Sequence, residues 1–96
     1  MKKLEYQGFK FGDFFKDMIA ERGYLQADIS KVTGIGLVSL SRYATNYSMP
    51  TKRTFKQIVD LMAKDLPVEK QKAYKEEKTA IYESIRKSYE NSKKRG

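Results

Sequence analysis

The chain has no cysteine and no histidine. Their absence excludes disulfides, zinc sites, thiol nucleophiles, catalytic triads and the commonest proton shuttle. The six glycines at 8, 12, 23, 34, 36 and 96 fit neither spacing used by phosphate-cradling loops. No run approaches the roughly 20 apolar residues of a membrane span. Met1-Lys2-Lys3 is not followed by the hydrophobic stretch of a signal peptide. These absences set the expectation of a cytoplasmic protein that is not an enzyme, carries no cofactor and no metal, and does not enter a membrane.

What is present describes a small basic domain. At 96 residues the chain has room for one compact unit and an appendage. Hydrophobic residues make up 40% and charged residues 33%, too apolar for wholesale disorder. Twenty Lys and Arg against twelve Asp and Glu leave a net charge of +8 and a pI near 9.7. That surplus favours polyanions, nucleic acid first and an anionic membrane surface second. A basic, well-hydrated surface with no such partner has the same charge.

Residues 1–10 are basic and interrupted by Gly8, and read as an arm able to dock Leu4, Tyr6 or Phe9. Phe11, Phe15 and Met18/Ile19 recur at three-to-four spacing, which predicts a first helix over about 13–21 closed by Arg22-Gly23. A second short helix is expected over 25–32, with Ile29 and Val32 inward. Thr33-Gly34-Ile35-Gly36 breaks it. Leu37 to about Thr45 reads as a third helix, with Leu40 and Tyr43 inward and Arg42 outward. After the turn-forming Asn46 to Pro50, Thr51 can cap a fourth helix through about Leu66, burying Phe55, Ile58, Leu61 and Met62.

Pro67 marks a boundary. The thirty residues from there carry nine Lys and Arg and five Asp and Glu, net +4, in a sequence of high helix propensity. Glu83–Lys87 and Glu90–Lys94 stand at i,i+4 in the favoured order. Tyr74, Ile81, Ile85 and Tyr89 form a thin stripe interrupted by Lys78, suited to packing or dimerisation. The terminal Lys93-Lys94-Arg95-Gly96 is expected to fray. Three roles stay open for this segment: a solvated tail, a packing or dimerisation arm, and a nucleic-acid arm using Lys70, Lys72, Lys75 and Lys93 to Arg95. The interleaved glutamates count against the last.

The informative stretch is Gln26 through Pro50. Counting Gln26 as one, a small residue falls at five (Ser30), Gly at nine (Gly34), and apolar residues at four, ten, fifteen and eighteen (Ile29, Ile35, Leu40, Tyr43). Two short crossed helices approach closely at position five, so a large side chain there would separate them. The turn between them needs a residue comfortable at positive φ, and Gly34 supplies it. The apolar positions fasten both helices to a bundle and leave the outer face of the second free. That is the pattern of a helix-turn-helix, whose second helix enters the major groove of DNA.

In these residues, from about Phe11 to Met62, the chain resembles the phage-repressor (Cro-like, xenobiotic-response-element type) helix-turn-helix family. The resemblance implies an all-α, lambda-repressor-like bundle of four to five helices with a charged C-terminal helix. The divisions are an arm over 1–10, a DNA-binding domain over 11–66 and a helical extension over 67–96. It implies that Gln26 meets a phosphate or base at the start of the scanning helix. It implies that Gly36, Leu37, Val38, Ser41 and Arg42 face the groove, and that Asn46 and Tyr47 lie near the DNA backbone. Arg42 is the one long donor on that helix, able to pair with guanine or to hold a phosphate. Leu37 and Val38 stand where relatives commonly carry polar residues; they can touch thymine methyls or form a protein-binding patch. Ile19 and Ala44 replace an ion pair that many relatives hold.

Two functions follow as expectations. One is a repressor of phage or mobile-element type that binds double-stranded operator DNA as a homodimer. The other is a modulator or anti-repressor that docks another regulatory protein through Leu37, Val38 and Tyr47.

Overall fold

The computed structural model describes residues 11–95, with side chains as far as Glu90. Among the described residues the fold has five helices and no strand: α1 (Phe11–Glu21), α2 (Gln26–Thr33), α3 (Leu37–Ala44), α4 (Lys52–Ala63) and α5 (Val68–Arg95). The expected arm with Leu4, Tyr6 and Phe9 lies outside the described residues, as do the side chains of Lys93, Lys94 and Arg95.

α1 buries Phe11, Phe14, Phe15, Met18 and Ile19, a full amphipathic stripe at i, i+3, i+4, i+7 and i+8. The helix is already formed at Phe11, two residues before the expected start. Its Gly12 N–H donates to Asn46 Oδ1 at 2.6 Å, a cap supplied from 34 residues away that no local pattern announces. At the other end Gly23 N–H reaches the Ala20 carbonyl and Tyr24 N–H reaches that of Ile19, closing α1 in a Schellman motif.

α2 is short, and Asp28 Oδ2 accepts the Leu25 N–H at its start. Ile29 is fully buried, but Val32, expected inward, is 61% exposed. An eight-residue helix presents one narrow stripe, and the next apolar anchor is Ile35, beyond the turn, packed against the core. Val32 lies instead on an open groove with Leu61, Lys64 and Gln71.

Thr51 caps α4 as expected, its hydroxyl accepting the Thr54 N–H at 3.3 Å. The helix ends at Ala63 rather than Leu66. Pro67 disfavours helical backbone at the residue before it. The chain tightens through i→i−3 bonds from Lys64 and Leu66, and Gln71 Nε2 donates to the Lys64 and Leu66 carbonyls.

α5 lies along the bundle. Ile81, Tyr82 and Ile85 are buried in the same core as α1 and α4, with Tyr74 packed at its edge. Tyr82, outside the expected stripe, is its most important member: its ring stacks on Phe55 at 4.5 Å between centroids and 12° between planes. Phe11 is the hub, with Phe14, Phe15, Tyr43, Phe55 and Tyr82 all within 5.7–6.4 Å of its ring centre. Such pairs contribute about 0.5–1.5 kcal/mol each beyond the area they bury.

Lys78, which interrupts the stripe, holds its ammonium 5.2 Å from the Tyr74 ring centre and 3.6 Å from the Glu21 carboxylate, with its side chain largely buried. Glu83 does not serve the helix ladder expected of it. Its carboxylate reaches across to Lys52 at 2.7 Å, because α4 starts beside this turn of α5. Glu90 pairs backward with Arg86 at 3.0 Å, while Lys94 lies outside the described side chains.

The Tyr74 hydroxyl is buried with no hydrogen-bond partner. Burial, aided by the Glu21 carboxylate, pushes its pKa from 10.0 up to about 12. A phenol with a folded pKa above its unfolded one contributes stability that is intact below pH 10 and is lost as pH rises from there through about 12. Tyr74→Phe cannot ionise and removes an unsatisfied hydroxyl. It is expected to melt higher at pH 7, by about 1 kcal/mol, and to show a shallower fall between pH 10 and 12. Urea titrations at three pH values would check both; a variant less stable than the parent at pH 7 would mean the hydroxyl is satisfied.

Candidate nucleic-acid interface

Everything at this site follows from how α2 hands the chain to α3. Gly34 closes α2 at φ 80°, its N–H on the Ser30 carbonyl at 2.9 Å. A Cβ there would meet nothing within 4 Å, so it is the positive φ alone that requires glycine. Thr33 reinforces the turn: its hydroxyl donates to the Ile29 carbonyl at 2.7 Å and accepts the Ile35 N–H at 3.2 Å. Ser30, the small residue of the motif, is half-buried.

α3 is then held by three residues. Leu40 and Ala44 are buried and Tyr43 packs edge-on against Phe11 and Phe15. Ile19 and Ala44 both belong to the core. With Leu40, Tyr43 and Ala44 turned inward and Ser39 half-buried, the outer face of the helix is free. Gly36, Leu37, Val38, Ser41 and Arg42 are all exposed, with Leu37 at 53% and Val38 at 66%. Gln26 is the first residue of α2 and half-buried.

Past α3 the chain doubles back. Thr45 N–H bonds the Ser41 carbonyl, and Tyr47 and Ser48 N–H groups both reach the Arg42 carbonyl at 2.9 and 3.3 Å. Asn46 makes the reversal at φ 64°, a left-handed conformation that Asn tolerates better than most residues. Its Oδ1 is committed to Gly12, so Asn46 ties α1 to the end of α3 as well as lying beside the exposed face. Tyr47 projects outward, 73% exposed, and the Arg42 guanidinium sits 5.1 Å from its ring centre. The Arg42–Tyr47 pair was not visible in the sequence; only the path set by Asn46 brings the two together.

The long helix contributes from below. Burial pushes the Tyr82 hydroxyl's pKa above its ordinary value of 10.0. It donates to the Pro50 carbonyl at 2.8 Å. Tyr74, Ile81, Ile85 and Tyr89 are on the bundle side of α5 or at its margin, and none joins the exposed face of α3.

A bundle that holds two short helices across a left-handed glycine turn and leaves the outer face of the second free defines a helix-turn-helix domain. The chain belongs to the helix-turn-helix family: that family's model matches residues 15–68, 54 of the 96. The family is one of DNA-binding transcriptional regulators, in keeping with the expected Cro-like kinship. No curated protein and no solved structure matches the chain. Among the described residues, no helix is long and apolar enough to cross a membrane.

Proposed function

We propose that the protein is a repressor of phage or mobile-element type that reads operator DNA as a homodimer, with α3 in the major groove. The observation that carries this is the exposed Arg42–Tyr47 pair at the end of α3: a guanidinium held over an aromatic ring, on a helix whose inner face is fully used by the core. Residues 11–66 are the DNA-binding unit and 67–96 its helical extension. Arg42 reads a base edge, Ser41, Leu37 and Val38 line the groove, and Tyr47 with Asn46 meets the backbone. Gln26 stands at a helix N-terminus, where phosphate is favoured. Gly36 supports the same reading, since neither its φ of −64° nor any neighbour within 4 Å demands a glycine there. The missing side chain leaves room for a close approach from outside. The net charge of +8 supplies the general attraction.

Arg42→Ala is expected to weaken binding to a preferred duplex by about 1–3 kcal/mol and to random DNA much less. Gln26→Ala is expected to weaken both more evenly. Selection from a random duplex pool, followed by gel shifts at two salt concentrations with sizing in parallel, checks both effects and the dimer.

A second reading rests on Leu37 and Val38, exposed apolar neighbours at the start of α3. In that reading the face docks another regulatory protein. Leu37→Asp and Val38→Asp then abolish partner association, while Arg42→Ala changes nothing.

A further inference from the structure

The carbonyl of Pro50 is where the long helix grips the loop that follows α3. Pro50 is buried, and its oxygen accepts from the Tyr82 hydroxyl at 2.8 Å and from Arg86 Nη1 at 3.0 Å. Both lone pairs of that oxygen are therefore taken by α5. One donor would satisfy a buried carbonyl; two, one of them charged, hold it in place. Both donors are fixed in turn. The Tyr82 ring is stacked on Phe55. The Arg86 Nε donates to Glu90 at 3.0 Å, and the guanidinium lies 6.0 Å from the Tyr89 ring centre. The charge of Arg86 is spent on Glu90 and Pro50 rather than offered to a polyanion.

The far end of the same loop is pinned by Gly12 on Asn46 Oδ1 and by the Tyr47 and Ser48 N–H groups on the Arg42 carbonyl. Between the two anchors Tyr47 projects, with Arg42 over its ring. An arginine immobilised before binding gives up less rotamer freedom when it binds.

We infer that Tyr82 and Arg86 are positioning residues for DNA recognition: through Pro50 they fix the path of residues 46–50, so that Tyr47 holds Arg42 in its reading orientation. The inference rests on the DNA-binding reading above. On it, the helical extension sharpens sequence discrimination without touching DNA.

The test uses the full 96-residue chain. Tyr82→Phe and Arg86→Lys leave the net charge unchanged. They are made singly and together, in the parent and in a Tyr47→Ala background. Fluorescence anisotropy at fixed salt measures affinity for the selected duplex and for a random one, with thermal melts alongside. The double variant is expected to lose about threefold to tenfold on the selected duplex, to hold its affinity for random DNA, and to show no further loss once Tyr47 is alanine. If the double variant does not fold, Tyr82→Phe alone, which keeps the ring stack, gives the same comparison. An equal loss on both duplexes, an undiminished loss without Tyr47, or no loss at all overturns the inference. A parent chain that selects no duplex overturns the DNA-binding reading and this inference together. A parent that selects one, with variants that discriminate as well as it does, overturns only the inference.

Discussion

Gly12→Val is expected to cost the fold about 2–4 kcal/mol, read as a fall in Tm of roughly 10–25 °C for a domain of this size. A Cβ at residue 12 would press on the Ala44 carbonyl, with the carbonyl carbon at 2.9 Å and Asn46 Oδ1 at 3.1 Å. The Ala44 atoms are backbone and cannot rotate aside. α1 would have to withdraw from the end of α3, breaking the bond from Gly12 N–H to Asn46 Oδ1. Phe11, one residue away, would be drawn off Tyr43, Phe55 and Tyr82. The sign is what makes the measurement decisive. In an exposed helix interior, replacing Gly by Ala gains about 1 kcal/mol of helix propensity. Here even Gly12→Ala is expected to melt below the parent, and a Gly12→Ala protein that melts higher would show that α1 does not press on Ala44.

That contact also marks the limit of what the sequence could say. The helices were legible because α1, α3 and α4 carry periodic stripes and α5 has high helix propensity, and the glycine turn that ends α2 was legible because only positive φ explains a glycine nine positions into the motif. The outward position of Arg42 followed from the register that turns Leu40 and Tyr43 inward, whereas that of Gly36, Leu37, Val38 and Ser41 was implied by the family resemblance. Gly36 and Leu37 stand four and three residues before Leu40, on its own side of the helix by spacing alone, and are exposed all the same. What was not legible rests on partners distant in the chain. The Asn46 cap on Gly12 spans 34 residues, and Gln71 satisfies carbonyls at the end of another helix. The Arg42–Tyr47 stack depends on one left-handed asparagine. Tyr82 is hidden in the sequence for a different reason. Adding it widens the thin stripe of α5 to i, i+4, i+7, i+8 and i+11 from Tyr74 through Lys78 to Ile85, the width a core-facing helix has. Lys78 disguised that face, because a lysine can bury its stem and still keep its charge at Glu21.

Because α5 supplies part of the core, a chain ended after Leu66 is expected not to fold cooperatively. Burying Ile81, Tyr82 and Ile85 contributes about 1.5–3 kcal/mol for each side chain, so about 5–9 kcal/mol goes with the helix. Small domains hold only about 5–15 kcal/mol in total. The truncation also uncovers Phe11 and Phe55 and strips the Pro50 carbonyl of both donors. The ion pairs lost with α5, Lys52–Glu83, Lys75–Asp60 and Lys78–Glu21, add little where their side chains are open to water. The apolar loss therefore decides the outcome. Circular dichroism on heating would show a broad, low-temperature transition in place of a sharp one, and selected-duplex binding would be lost with it. Ile81→Ala and Ile85→Ala in the full chain, each costing about 2–5 kcal/mol, grade the same effect without removing the helix. A truncated chain that melts sharply near the parent temperature would make residues 11–66 a self-sufficient domain and α5 an appendage resting on it.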